Sequence, residues 1–145
     1  MHMLVRSGYN GIVKNLGVMP SAENPLRRQL SDARIARLLK VVNLLREYDR
    51  EFPAQALATL LYIGSHDDCH KKAIEEDLDF STAAGSRNTD WLSQYHRLRK
   101  PGMGLIVKEA DPTNQRMQMC RLTVNGKNLM NEITRILYED PDPEA

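Results

Sequence analysis

The chain has few residues of the kinds that build a covalent scaffold or a membrane span. Its 145 residues include only two cysteines, Cys69 and Cys120, far apart in sequence, which excludes a disulfide framework and a metal site built on a CxxC pair. No apolar run approaches the ~18 residues of a membrane-spanning helix, and no apolar signal segment opens the chain. Aromatic residues make up only 6%, but the 41% hydrophobic content is enough for a globular core. We therefore expect a cytoplasmic protein.

An overall excess of one charge sign is also absent, because the formal net charge is +1. This average conceals two unlike regions. Residues 80 to 127 carry eight basic and three acidic side chains, whereas residues 51 to 79 carry two basic and seven acidic ones. A local basic region on a nearly neutral protein is typical of contact with phosphates.

Patterns of common catalytic and cofactor sites are missing as well. There is no nucleophile–base pattern, glycine-rich phosphate loop or HExxH motif. We therefore expect that the protein is not an enzyme and that it binds no cofactor and no metal. His66, Asp68 and His70 surround Cys69 but lack ligand spacing. The two cysteines could sense oxidants, but packing as small residues is the favoured interpretation. Trp91 and Tyr95 could line an effector pocket, but their helical spacing favours core packing.

Helical periodicity and capping residues predict five helices between residues 31 and 138. We expect residues 1 to 30 to form an N-terminal arm and residues 139 to 145 a disordered acidic tail. The first predicted helix runs from Ser31, its cap, to about Glu51, and the second runs from Pro53 to about Ser65, with Leu57, Leu60, Leu61 and Gly64 on its inner face. The third runs from about His70 to Leu78, and the fourth is capped by Ser81 and ended by Lys100-Pro101-Gly102. The last runs from its cap Thr123 to Tyr138. Phe80 is expected to be a buried plug in the turn before the fourth helix.

The stretch LIVKEADPTNQRMQMCRLTVNG, which begins at Leu105, predicts a β-hairpin before the last helix. Two β-prone runs, Leu105–Val107 and Met117–Leu122, flank the turn-rich ADPTNQ, with Arg116 near the tip. A hairpin that follows a helix-turn-helix is typical of a wing. The predicted fold is therefore mainly α with a small β-hairpin wing (α+β): a winged helix-turn-helix with N- and C-terminal dimerisation helices.

The sequence resembles the MarR family of winged-helix regulators over roughly residues 31 to 137. DPTNQR followed by RLTVNG has the layout of that family's wing, and KKAIEEDLDFSTAAGSRN resembles its helix-turn-helix. Ser81, Ser86 and Arg87 fall where the family's recognition helix carries serine and a Ser-Arg pair. The resemblance implies a dimeric DNA-binding regulator of transcription.

Three residues depart from the family pattern. Asn114 stands where an aspartate usually braces the wing arginine, Asp79 occupies a turn position often held by glycine, and Gly85 replaces an aliphatic residue in the recognition helix. The terminal helices are also short, and the link between recognition helix and wing is long. These departures suggest a divergent member, in the style of phage or mobile-element proteins.

The residues of the predicted recognition helix suit double-stranded DNA. Small or polar side chains at its start allow close approach to the major groove, and an arginine can donate two hydrogen bonds to guanine. An arginine at a wing tip can enter a narrow minor groove. The expected DNA-binding residues are Ser81, Thr82, Ala83, Ser86, Arg87, Arg97, Arg99, Lys100, Gln115 and Arg116, and Lys108 is a further candidate for phosphate contact.

The predicted function is sequence-specific binding of double-stranded DNA by a homodimer that regulates transcription. Broad apolar faces on the first and last helices predict the dimer, and its two-fold symmetry predicts a pseudo-palindromic site. The alternative is a winged helix used for protein interaction, replication or assembly, without sequence-specific readout. The sequence leaves a small-molecule effector open without indicating one.

Overall fold

The computed structural model describes Leu26, residues 29–94 and residues 101–139. The predicted arm and tail lie almost wholly outside these residues. The described elements are α1 (Ala33–Arg46), α2 (Ala54–Ser65), β1 (Cys69–His70), α3 (Lys71–Asp77), α4 (Thr82–Leu92), β2 (Ile106–Asp111), β3 (Asn114–Leu122) and α5 (Val124–Tyr138). The structure is mostly helical with one small antiparallel sheet, which confirms the predicted fold class.

The chain divides into two units. One contains α1 and the part of α5 from Glu132 onward, and the other runs from Pro53 to Asn131. The second unit holds the helix-turn-helix, formed by α3 and α4, and the β2–β3 hairpin that follows it. We call this hairpin the wing and α4 the recognition helix. Among the described residues, no helix combines the length and the apolar character that a membrane crossing requires.

Side-chain caps set the starts of three helices. Ser81 Oγ accepts the Ala84 N–H at 3.1 Å, and Thr123 Oγ1 accepts the Gly126 N–H at 3.1 Å, so both predicted caps are confirmed. The predicted cap of α1 is wrong by one residue. Asp32, not Ser31, accepts the N–H groups of Arg34 and Ile35, and its carboxylate also complements the positive end of the helix dipole.

The sheet has three strands in the order β1-β3-β2, with both pairings antiparallel. The hairpin prediction is confirmed, but the strands are longer than predicted and leave only Pro112 and Thr113 as the loop. The two-residue strand β1 was not predicted. Its Cys69 and His70 pair with Cys120 and Met119.

The core of the second unit is formed by residues from all of its elements. It includes Ala56, Leu60, Ile63, Ile74, Leu92, Leu105, Ile106, Cys120 and Leu129, all buried. The predicted inner face of α2 is partly wrong: Ile63 is buried, while Leu61 is exposed. Phe80 is half-buried rather than a buried plug, because its turn lies at the surface between α3 and α4.

The recognition helix ends at Leu92, earlier than the predicted stop near Pro101. The backbone from Gly102 to Leu105 returns to the end of this helix, and its N–H groups donate to carbonyl oxygens of residues 91 to 94 at 2.9–3.1 Å. These carbonyls have no partner within the helix, so the returning segment satisfies them. The Lys100-Pro101-Gly102 sequence therefore does not mark the end of the helix, which lies eight residues before Lys100.

Gly126 is required by a close approach of two backbones. A Cβ atom at this position would overlap the carbonyl oxygen of Leu105. The same carbonyl accepts the Thr123 N–H at 3.0 Å. The first turn of α5 is thus seated directly on the backbone that leads into the wing, and only glycine leaves room for it.

Candidate nucleic-acid interface

The recognition helix has one polar, exposed face and one buried face. Ser81, Thr82, Ala83 and Arg87 are exposed, and Ser86 is half-buried. The opposite face buries Ala84, Gly85, Asn88, Thr89 and Leu92. The structure therefore exposes Ser81, Thr82 and Ala83 at the start of this helix, where small side chains leave the backbone accessible, and exposes Arg87 near its middle, next to half-buried Ser86.

Arg87 has no ion pair with any described residue. An intramolecular ion pair was one alternative explanation of this arginine, and the described part of the chain provides no carboxylate for it. In contrast, Asn88 is buried and bonded within the protein, since its Nδ2 donates a hydrogen bond to Gln55 Oε1 of α2 at 3.3 Å. Neighbouring polar residues on α4 thus have different roles, one toward solvent and one toward the core.

Gly85 has a packing reason in this helix. A Cβ atom there would overlap the side chain of Glu75 on α3. Glu75 forms an ion pair with Lys71, and both side chains are largely buried. The missing side chain at position 85 therefore makes room for a paired charge between α3 and α4. Glycine is otherwise ~1 kcal/mol less favourable than alanine in a helix.

The turn between α3 and α4 contains a strained residue. Asp79 has φ of 55°, in the left-handed region that favours glycine. Glycine would adopt this conformation without a Cβ penalty. Aspartate tolerates the left-handed region better than most residues do.

The wing exposes the two predicted residues near its tip. Gln115 and Arg116 are both exposed, and Arg116 makes no ion pair within the described part of the chain. Asn114 Oδ1 accepts the backbone N–H of Arg116 at 3.3 Å. The asparagine thus holds the backbone of the arginine, rather than its guanidinium.

Two basic residues of the wing are neutralised. Lys108 forms a partly buried ion pair with Asp90 of α4, and Arg121 pairs with Glu109 across the hairpin. The ammonium of Lys108 ties β2 to the recognition helix, and Asp90 competes with phosphate for it, so phosphate contact by Lys108 stays a prediction. The other predicted phosphate contacts, Arg97, Arg99 and Lys100, lie outside the described residues, as do Tyr95 and His96.

One junction between the helix-turn-helix and the wing was missed in the sequence. His70 Nε2 lies 2.7 Å from Oδ2 of Asp111. The other carboxylate oxygen of Asp111 accepts the N–H and the hydroxyl of Thr113, each at 2.8 Å. These contacts, the bond from His70 first, lower the pKa of Asp111 to about 2. No local pattern signals this pair, because 41 residues separate the two.

The two cysteines and His66 make contacts that are structural in kind. Burial raises the pKa of Cys120 to about 12 and also raises that of Cys69, which favours neutral thiols over reactive thiolates. The exposed ring of His66 stacks on Tyr62 with centroids 4.1 Å apart. Tyr62 donates to Asp77 at 2.6 Å, and this bond raises its pKa to about 12. Within the described residues, no group of three or more potential ligands could hold a metal ion.

Helix α1 exposes a continuous apolar row. The row consists of Ile35, Leu38, Leu39 and Val42, which are 64%, 53%, 45% and 37% exposed. Their spacing places them on one face of the helix. Val41 and Leu45, on a different face, are buried. Large contiguous apolar patches on soluble proteins mark interaction surfaces.

Comparison with known proteins finds similarity in structure only. No family model matches the sequence, and no curated protein sequence matches it. Among solved structures, a crystal structure of MarR aligns with TM-score 0.49 and 19% identity over 68% of this chain and 71% of the other. The S. aureus MepR–DNA complex aligns with TM-score 0.49 and 19% identity over 68% of this chain and 80% of the MepR chain. Reduced AbfR bound to DNA aligns with TM-score 0.49 and 18% identity over 72% of this chain and 79% of the AbfR chain.

Proposed function

We propose that this protein is a homodimeric, sequence-specific double-stranded DNA-binding protein that regulates transcription. The observation that carries the proposal is the outer face of the recognition helix. It begins at a capped N-terminus and presents Ser81, Thr82, Ala83 and Arg87 to solvent, and Arg87 has no ion pair with a described residue. A helix of this kind fits the major groove, where arginine can read guanine through two hydrogen bonds.

The wing adds a second contact in this proposal. Arg116 is exposed near the end of the hairpin, where a guanidinium can enter a minor groove narrowed by A·T base pairs. Gln115 adjoins it. Ser86, Arg97, Arg99 and Lys100 complete the proposed surface, the last three as contacts to the phosphate backbone.

Dimerisation is proposed through the apolar row of α1. An identical row on a second copy would cover these four side chains across a two-fold axis. The same axis would place two recognition helices in successive major grooves, about 34 Å apart, on a pseudo-palindromic site.

The test is binding to a duplex selected from a random library. We expect binding that weakens steeply as salt rises, because phosphate contacts release counterions. Arg87→Ala should cost about 1–3 kcal/mol and relax discrimination at one base position in each half-site. Arg116→Ala should instead reduce the preference for A·T-rich flanks.

Arg121→Ala is the matched control for the wing. It removes a second exposed arginine of β3, but one that is already paired with Glu109, so we expect a smaller loss than for Arg116→Ala. A uniform loss for Arg87→Ala on all duplexes would make Arg87 a backbone contact. If no variant alters binding while each remains folded, the protein is better explained as an interaction module.

A further inference from the structure

We infer that His70 is a positioning residue for DNA binding: it holds the tip of the wing in place through Asp111, so that Arg116 meets the groove. The inference rests on the proposed function and adds to it a residue that makes no DNA contact itself. Its starting observation is the 2.7 Å contact between His70 Nε2 and Asp111 Oδ2.

The two residues lie at opposite sides of the sheet. His70 belongs to β1 and is the residue immediately before α3, whereas Asp111 is the last residue of β2. In the strand order, β3 lies between them. The His70 side chain therefore connects the start of the helix-turn-helix to the turn end of the wing, which no backbone pairing of β1 reaches.

Asp111 uses both of its carboxylate oxygens to organise the turn. Oδ2 faces His70, while Oδ1 accepts two hydrogen bonds from Thr113. The residue is only 8% exposed, and a buried carboxylate needs partners of this kind. The turn conformation and the contact to His70 thus depend on the same side chain.

The contacts continue from Asp111 to Arg116. Across the turn, Asp111 is paired with Asn114, and Asn114 Oδ1 accepts the Arg116 N–H. Since Asn114 holds the backbone of Arg116 rather than its guanidinium, the position of the arginine follows from the position of the turn. Loss of the His70 contact should release the turn from the helix-turn-helix.

A proton on Nε2 is sufficient for this contact, because Asp111 as a carboxylate can only accept. The amide nitrogen of glutamine can donate from a similar distance along its side chain. His70→Gln should therefore retain the contact, and His70→Ala should lose it. His66→Ala is the matched control, since it removes an exposed histidine four residues earlier that contacts Tyr62 and Ser65.

The experiment measures duplex affinity in a double-mutant cycle with Arg116→Ala. We expect His70→Ala to weaken binding about five- to tenfold, as for the loss of one charge-assisted hydrogen bond, and His70→Gln and His66→Ala to stay within about twofold of wild type. Combined with Arg116→Ala, His70→Ala should cause little further loss, because the contact that it positions is already gone. Additive losses would overturn the inference, and so would an equal loss in His70→Gln.

Amide hydrogen exchange without DNA separates this inference from the proposed function. Exchange at Thr113 and Arg116 should be faster in His70→Ala than in wild type, while exchange in α2 stays unchanged. Unchanged exchange in the wing would overturn the inference and leave DNA binding untouched. Faster exchange together with wild-type binding by Arg116→Ala would refute the proposed wing contact, and with it the role of His70 in DNA binding.

Discussion

The two units of this chain differ in how they treat their apolar side chains. The unit from Pro53 to Asn131 buries or half-buries most of them, with Leu61 and Val124 as its exposed large hydrophobic residues among those described. It is also tied by polar contacts, such as Lys108 with Asp90 and His70 with Asp111. The other unit contains α1, whose apolar row is open to solvent.

We interpret this difference as one between a region that packs within one chain and a region whose apolar row is available to a second surface. Exposure of a single leucine is ordinary on a folded protein. Four aliphatic residues at helical spacing on one face are a different case. The comparison predicts that equal substitutions in the two units will have unequal effects on assembly and on folding.

The largest effect is expected for Leu39→Glu in the apolar row. A charge there should prevent burial of the row, so the proposed dimer should dissociate to monomers. DNA affinity should fall about 100-fold or more, because two linked half-site contacts become one. Light scattering and fluorescence anisotropy measure the two effects. Leu61→Glu is the matched control, since the two leucines are 45% and 40% exposed. An equal effect in the control, or a monomeric wild type at micromolar concentration, would contradict the comparison.

The second prediction concerns tight packing in the wing-bearing unit. Gly126→Ala should lower the free energy of unfolding by about 1–3 kcal/mol, because its Cβ would overlap the Leu105 carbonyl and the backbone must shift. Gly85→Ala should cost less, because the atoms that it meets belong to the side chain of Glu75, and alanine favours helix. Urea unfolding measures both. A Gly126→Ala variant as stable as wild type would show that this junction is loose.

The third prediction concerns acid. Because the folded-state pKa of Asp111 is lowered to about 2, its contribution to stability is present above the unfolded pKa of ~3.9 and is lost as the pH falls toward 2. Asp111→Asn should be less stable than wild type near neutral pH, and the difference should shrink between about pH 4 and pH 2. Urea unfolding at several pH values, with exposed Asp67→Asn as a control for net charge, measures this. A difference that does not change with pH would exclude the carboxylate as its source.

The smallest effect is expected for Asp79→Gly in the turn before the recognition helix. Glycine adopts the left-handed conformation of this residue without a Cβ penalty. The free energy of unfolding should rise by about 0.5 kcal/mol, since part of the gain is offset by the greater chain entropy of unfolded glycine. Thermal unfolding detects this shift, and Asp67→Gly in the preceding loop is the control. A loss of stability at position 79 would indicate that the aspartate side chain contributes a contact of its own.

Local features were predictable from sequence. The caps Ser81 and Thr123, the hairpin and the exposed face of the recognition helix all follow from short-range patterns of polarity, turn residues and periodicity. The same patterns misplaced one face of α2, because Leu61 and Ile63 both lie within a continuous apolar run that does not define which side packs inward.

Pairs of residues distant in sequence were not predictable. Lys108 appeared to be a free base because its partner Asp90 lies 18 residues away. Strand β1 has two residues and therefore no periodicity to detect, and its existence depends on pairing with β3. The His70–Asp111 junction depends on that same pairing, so it could not be predicted before the strand was known.

Much of the edge of the wing has no strand partner among the described residues. Strand β3 runs from Asn114 to Leu122, but β1 pairs with it only at Met119 and Cys120, and β2 forms the other edge of the sheet. Unpaired strand edges can add strands from other molecules and so promote aggregation. Exposed charged side chains and a proline near the turn, such as Glu109, Arg116 and Pro112, oppose this pairing. Substitutions that remove charged side chains from the wing should therefore be tested for the solubility of the protein as well as for its affinity for DNA.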